Sequence, residues 1–177
     1  MGGFLKSRRI RSPKGRHVRP TLGKLRQAVF NICQNQVKGA SFLDLFSGSG
    51  AMGIEALSRG ARSSTFIEKD RCALNMIRSN VKDLCIGSLS TILAGDVLTW
   101  LKTLKGGSFD LIYVDPPYER ELHMATLHLI DQLEILAKGG LLFIEECSLK
   151  DPLLKNITLR RERKVGRTLL YQFQTLS

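Results

Sequence analysis

Apolar positions along the chain switch between two periods. Short, near-continuous apolar runs mark strands buried on both faces, and apolar residues recurring every three or four positions mark amphipathic helices. Pro20-Thr21 opens the first helical pattern, with Thr21 as N-cap and Leu22, Leu25, Val29, Ile32, Cys33 and Val37 on one face. Arg26 and Phe30 lie together off that stripe, either turned to a ligand or as an arginine stem laid on a ring. Phe42–Phe46 reads as a buried strand running into Gly48-Ser49-Gly50, followed by a helix on Ile54, Ala56 and Leu57 that Gly60 closes. Ser64–Ile67 is a short strand ending at Glu68, and Asp70–Leu84 is a helix capped by Asp70. Ser90–Leu93 is a strand followed by Gly95-Asp96, and Val97–Leu104 is a helix. Phe109–Val114 is a central strand that leads into Asp115-Pro116-Pro117-Tyr118. Glu119–Ala137 reads as one long helix on Leu127, Ile130, Leu133 and Ala137, ended by Gly139-Gly140. Leu141–Ile144 is another central strand, and Ile157–Arg163 with Thr168–Phe173 forms a terminal antiparallel hairpin.

Five strands with helical connections, then a hairpin, predict an α/β fold: a Rossmann-like, mostly parallel sheet with helices on both faces and an antiparallel C-terminal edge. Ligands of such sheets bind beyond the carboxyl ends of the strands, at the switch in strand order. The polar and glycine signals fall there: Gly48 and Gly50 after the first strand, Glu68 after the second, Asp96 after the third, Asp115–Tyr118 after the fourth.

Gly48, Gly50 and Gly53 satisfy a G-x-G-x-x-G spacing, which suits a nucleotide-type ligand at a helix N-terminus and equally a sterically tight turn. Glu68 stands where an acid accepts from two ribose hydroxyls, which NAD and S-adenosylmethionine both offer. Asp44 separates these ligands, since a carboxylate inside the strand is unwelcome beside a pyrophosphate and useful beside an ammonium or sulfonium. Asp44 can also hold the loop through backbone N–H groups. Asp96 is placed to accept from an adenine amino group, to cap the next helix, or both. The two prolines after Asp115 stop the ladder and fix the backbone. Asp115 and the Pro116 carbonyl can then take the two N–H groups of an exocyclic amine while Tyr118 stacks on its base.

Charge adds a partner. The net charge is +11, and residues 1–42 hold ten bases and no acid. Seven more bases, against two acids, follow from Lys150 onward. Two basic ends on an acidic body predict a grip on nucleic acid; the plainer alternative is a basic tail without a partner. Residues 1–19 read as extended or as a short hairpin, and as mobile without a partner. No apolar run approaches a membrane span, and Cys33, Cys72, Cys85 and Cys147 lack metal-site spacing, so neither a membrane nor a metal is expected.

The stretch 44–61, the Glu68 position, Gly95-Asp96 and the DPPY tetrad resemble class I S-adenosylmethionine-dependent N-methyltransferases. RPTLGKLRQAVFNI (19–32) resembles the RPT…FN segment of the RsmD family, and KVGRTLLYQF (164–173) also fits it. That resemblance implies a seven-stranded sheet and methylation of guanine N2 in bacterial 16S ribosomal RNA. The substrate it implies is the assembled or nearly assembled small ribosomal subunit, the methyl donor S-adenosylmethionine and the product S-adenosylhomocysteine. By position, Phe46, Ser47, Gly48, Ser49 and Gly50 would hold the methionine part, Glu68 the ribose and Asp96 the adenine. Asp115, Pro116 and Tyr118 would present the guanine. The family's acids at the positions of Gly23 and Gln27 are missing here.

The expected organisation is a basic extension and helix over 1–38, which binds RNA through Arg8, Arg9, Arg11, Arg16, Arg19 and Arg26, and a methyltransferase domain over 39–177. A cytoplasmic monomer is expected. A DNA amino-methyltransferase is the runner-up, weakened by the lack of a spare stretch for base recognition. A non-catalytic ribosome-assembly factor on the same fold is weakened by DPPY.

Overall fold

The computed structural model describes residues 1–12, 20–117, 120–146, 149, 152–166 and 168–176. The chain forms α1 (Pro20–Ile32), β1 (Ser41–Leu45), α2 (Ala51–Ser58), β2 (Ser63–Glu68), α3 (Arg71–Asp83) and β3 (Ser90–Ala94). It continues through α4 (Val97–Leu101), β4 (Phe109–Val114), α5 (Arg120–Gln132), β5 (Leu136–Glu146), β6 (Ile157–Val165) and β7 (Thr168–Thr175). The strands make one seven-stranded sheet in the order β3-β2-β1-β4-β5-β7-β6. β1 to β5 are parallel, and β7 enters antiparallel between β5 and β6. The expected fold class is the one observed.

Apolar side chains of α1, α2 and α3 pack on one face of the sheet, around Val29, Phe42, Ile54 and Ile77. Those of α4 and α5 pack on the other, around Leu101, Ile112, Leu127 and Ile130. β1, all five residues buried, pairs with β2 on one side and β4 on the other, which makes the β1/β4 edge the switch point.

Several elements differ from expectation. α1 begins at Pro20, one residue ahead of Thr21, because the proline φ suits the first helical position. It stops at Ile32, and Val37 reaches the core from a turn in which Gln36 and Val37 donate to the Cys33 carbonyl. α4 ends at Leu101, with Thr103 and Leu104 in tighter turns. The largest difference is α5, which ends at Gln132. Ala137, Gly139 and Gly140 belong to β5. Ile135 N–H donates to the Ile130 carbonyl and Glu134 N–H to that of Asp131, while Glu134 adopts φ +49°: a Schellman closure without the usual glycine. Gly139-Gly140 instead occupies a register shift between β4 and β5.

Residues 1–12 are folded onto the body rather than extended. Leu5 is buried, its N–H donates to Ser58 Oγ (2.9 Å), and Gly2 N–H donates to Glu55 Oε1 (2.8 Å). At Gly3 (φ +65°), a Cβ would stand 1.6 Å from the Ser58 carbonyl oxygen, so only glycine allows this approach.

Candidate active site

β1 ends in a loop held in unusual backbone geometry. Phe46, Gly48 and Gly50 all have positive φ (59°, 55° and 76°), and for Phe46 this conformation is strained. The loop is fastened from below. Ser47 Oγ donates toward the Asp44 (2.6 Å) and Ile67 (3.2 Å) carbonyls, so this hydroxyl shapes the loop rather than its open side. Asn80 Nδ2 donates to the Ser49 carbonyl (3.0 Å), and Gly53 N–H donates to Asp44 Oδ2 (2.9 Å). Gly53 sits where a Cβ would fall 2.3 Å from Phe66 Cε1, which is how α2 comes so close to β2.

Glu68, at the end of β2, works in two directions. Its Oε2 accepts from Gly48 N–H (2.8 Å), and its Oε1 accepts from Lys69 and Asp70 N–H (2.8 and 2.9 Å). It therefore sets the height of the glycine loop against the start of α3, and a carboxylate has lone pairs beyond these three for hydroxyl donors. Asp96 caps α4, accepting from Thr99 N–H through Oδ1 (2.9 Å), and stands exposed at the end of β3.

Asp44 is buried, and burial pushes its carboxyl up to about 8 against the lowering effect of the Gly53 N–H, with the Glu68 charge adding to the rise. Among the described residues it has no cationic partner. Across the switch point, Leu45 pairs with Val114, so Phe46 and Asp115 leave neighbouring strands side by side. Asp115 is held well above the ordinary carboxylate range by lost hydration, and the charges of Glu145, Asp44 and Glu146 act the same way. Pro116 is half-buried and Pro117 exposed; Tyr118 lies outside the described residues.

Two pairs at this edge are not visible in the sequence pattern. Tyr113 OH donates to Glu145 Oε2 (2.9 Å), and buried His123 on α5 places Nδ1 2.9 Å from Glu146 Oε2. Glu145 and Glu146 thus hold partners at the carboxyl end of the sheet, and the charges of both act on Asp115. Only the placement of α5 over β5 could have revealed the histidine.

Other expectations fare differently. Phe30 is fully buried, stacks on Phe42 at 6.0 Å and carries Arg59, not Arg26, over its face at 5.1 Å. Phe30 thus faces the core, and Arg59 rather than the Arg26 stem lies on its ring, so the two residues do not act as a pair. Arg26 instead reaches Glu55 (3.3 Å), an acid from α2 that serves α1 in place of acids within it. Arg11 pairs with Asp83 (2.8 Å), Arg8 donates to the Asp83 carbonyl (3.1 Å), and Arg9 is exposed. Arg16 and Arg19 lie outside the described residues.

A family model described as conserved hypothetical protein 95 matches residues 1–174. The chain belongs to this family, the RsmD family. A curated relative, ribosomal RNA small subunit methyltransferase D of Escherichia coli (strain K12), is 32% identical over 98% of this chain and 88% of its own. The solved structure of yhhF from Escherichia coli is 30% identical, with TM-score 0.86 over 99% of this chain and 96% of that one. SMU.776, solved in complex with SAH, shares the fold at 15% identity, with TM-score 0.63 over 85% of this chain and 49% of that one. The family fold is the class I methyltransferase fold that the sheet order and its switch point describe.

Proposed function

We propose that this protein transfers a methyl group from S-adenosylmethionine to the exocyclic N2 amino group of a guanine in 16S ribosomal RNA. Its substrate is the assembled or nearly assembled small subunit, and it acts as a cytoplasmic monomer. One observation carries this reading: a strained glycine loop over a buried acid, which has no cationic partner among the described residues, meets Asp115-Pro116 at the β1/β4 switch point. The Escherichia coli relative, a methyltransferase of small-subunit ribosomal RNA, supports RNA as the substrate.

The residues present fit the cofactor. Among the described residues, nothing beyond its chain neighbours would stand within 4 Å of a Cβ at Gly48, which leaves that side of the loop open to them. Asp44 lies beneath the loop as a buried acid for a cationic group, a pairing worth more in a low-dielectric site than in water. Glu68 holds the ribose hydroxyls and Asp96 the adenine, and Phe46–Gly50 frames the methionine part. The bound cofactor supplies an electrophilic methyl group. Asp115 and the Pro116 carbonyl each accept one N–H of the guanine amine and aim the nitrogen lone pair, while Tyr118 stacks on the base. The N–CH3 bond would form as the donor's S–CH3 bond breaks, with S-adenosylhomocysteine as the leaving group, and the nitrogen, now acidic, would lose its proton to solvent past the Asp115 side chain. No strong base is needed, and orientation and electrostatics carry the rate. RNA is held by the basic segment 1–38, through Arg8, Arg9, Arg11, Arg16, Arg19 and Arg26.

Small subunits from cells lacking this gene, incubated with the protein and labelled S-adenosylmethionine, should yield N2-methylguanosine on digestion. A different methylated nucleoside would keep the enzyme class and overturn the target. Transfer to duplex DNA with RNA inert would favour the DNA reading. Asp115→Ala should cost about 10²-fold or more in transfer rate while cofactor affinity stays near wild type. Normal turnover by that variant would remove Asp115 from the mechanism.

A further inference from the structure

β6 carries Arg160, Arg161 and Arg163 close together. In a regular strand Arg161 and Arg163 would share a face with Ile157, which packs into the α4–α5 side of the core. A bulge prevents this: Leu159 pairs with Phe173 and Arg161 with Gln172, leaving Arg160 as the extra residue. Beyond it, Arg161 stands beside Gln172 and Arg163 beside Leu170, whose side chain belongs to the α1 face. Arg160, Arg161 and Arg163 therefore line one open groove of about 600 Å³ between α1 and the hairpin, with Asn31, Ile32, Gln172 and Gln174.

The three arginines are exposed, and among the described residues none of them forms an ion pair. The groove lining contains no carboxylate and no aromatic ring. Like charges gathered in one groove repel one another, and an anion bound there would offset that repulsion. Amide side chains between guanidinium groups suit phosphate and sugar oxygens, and half-buried Ile32, the single apolar residue of the lining, is too little for the apolar and aromatic core that a protein partner would want. The groove also leads to the chemistry: Arg163 pairs with Leu170, and Leu170 with Glu145. Two strand spacings, roughly 10 Å, thus separate Arg163 from the acidic crevice.

We propose that this groove is a second RNA-backbone site, in which Arg160, Arg161 and Arg163 hold phosphates of the strand that delivers the target base. It rests on the RNA reading above and adds a contact on the face of α1 and the C-terminal hairpin. The acidic crevice repels phosphate and admits only the base. The arginine groove keeps the backbone outside.

The test compares the wild-type protein with the triple variant Arg160→Gln, Arg161→Gln, Arg163→Gln, and with a control of equal charge loss on other surfaces (Lys102→Gln, Lys105→Gln, Lys138→Gln). Binding to naked 16S RNA is measured across a salt series, and methyl transfer to small subunits alongside. The groove variant should bind RNA at least about tenfold more weakly, with its log K against log salt slope shallower by about 2 to 3 units, while the control stays near wild type. KM for subunits should rise with kcat and cofactor affinity unchanged. Unchanged affinity and slope in a folded groove variant overturn the proposal while leaving the RNA reading intact. Unchanged binding to naked RNA with weaker use of subunits would assign the groove to a protein of the subunit, and also overturns it. A wild-type protein that neither binds nor methylates RNA defeats both readings.

Discussion

Asp44 shows at the level of one residue how a buried acid at the candidate site costs stability as pH rises. Its carboxyl titrates at about 8 in the folded chain against an ordinary value of 3.8. Between those two values the folded protein keeps a proton that the unfolded chain has released, so stability is full below about pH 4, falls as pH rises toward 8, and is level above. Asp44→Asn removes this penalty and keeps an oxygen for the Gly53 N–H. The variant should melt several °C above wild type at pH 8 and together with it at pH 4, which thermal unfolding at the two pH values checks. Its cofactor binding should be weak and flat with pH, whereas wild-type affinity should strengthen as pH rises through 8 and Asp44 ionises. A variant that is no more stable at pH 8 would mean that burial does not hold Asp44 protonated.

At the scale of elements, the β1–loop–α2 unit is the part most tightly specified by sequence, and Gly53 is its narrowest point. Phe66 is fully buried, so it has little room to yield to a Cβ at Gly53. Gly53→Ala should destabilise the fold by about 1–3 kcal/mol, seen as a lower denaturation midpoint, and should loosen the loop with it. This unit was legible because its period changes abruptly and its glycines meet a real steric demand. The strand ends were legible too, since Glu68, Asp96 and Asp115 interrupt apolar runs. The end of α5 was not, because Glu134 takes a left-handed conformation that usually signals itself by glycine, while the visible glycines 139 and 140 mark a register shift inside a strand. The arginine groove was also hidden, as the bulge that gathers its side chains depends on pairing between β6 and β7 rather than on either strand alone. Likewise Asp131 caps the start of β6 by accepting from the N–H groups of Lys155, Asn156 and Ile157, contacts set by tertiary placement.

The molecule as a whole sets a cluster of acids at the carboxyl end of the sheet apart from basic surfaces, and the first twelve residues connect to both the core and the glycine loop. The Glu55 carboxylate takes the Gly2 N–H and the guanidinium groups of Arg26 and Arg59, tying the N-terminus to α1 and α2. Buried Asn80 makes the second link. Its Oδ1 accepts from Arg11 N–H (2.7 Å), and its Nδ2 donates to the Arg11 carbonyl (3.1 Å) and to the Ser49 carbonyl (3.0 Å). One amide thus fastens the basic N-terminal segment and the glycine loop to the same turn of α3. Replacing it by alanine strands those backbone groups at a part-buried place, a loss of about 1–3 kcal/mol for each polar group left without a partner. Asn80→Ala should therefore lower the melting temperature by several °C, weaken cofactor binding, and speed amide exchange at Arg11, whose N–H loses its acceptor. Asp83→Ala, which removes only the exposed Arg11 partner at the end of α3, should leave cofactor affinity unchanged. If both variants weaken the cofactor equally, the N-terminal segment acts on the loop through its charge; if Asn80 alone does, the shared amide holds the two together.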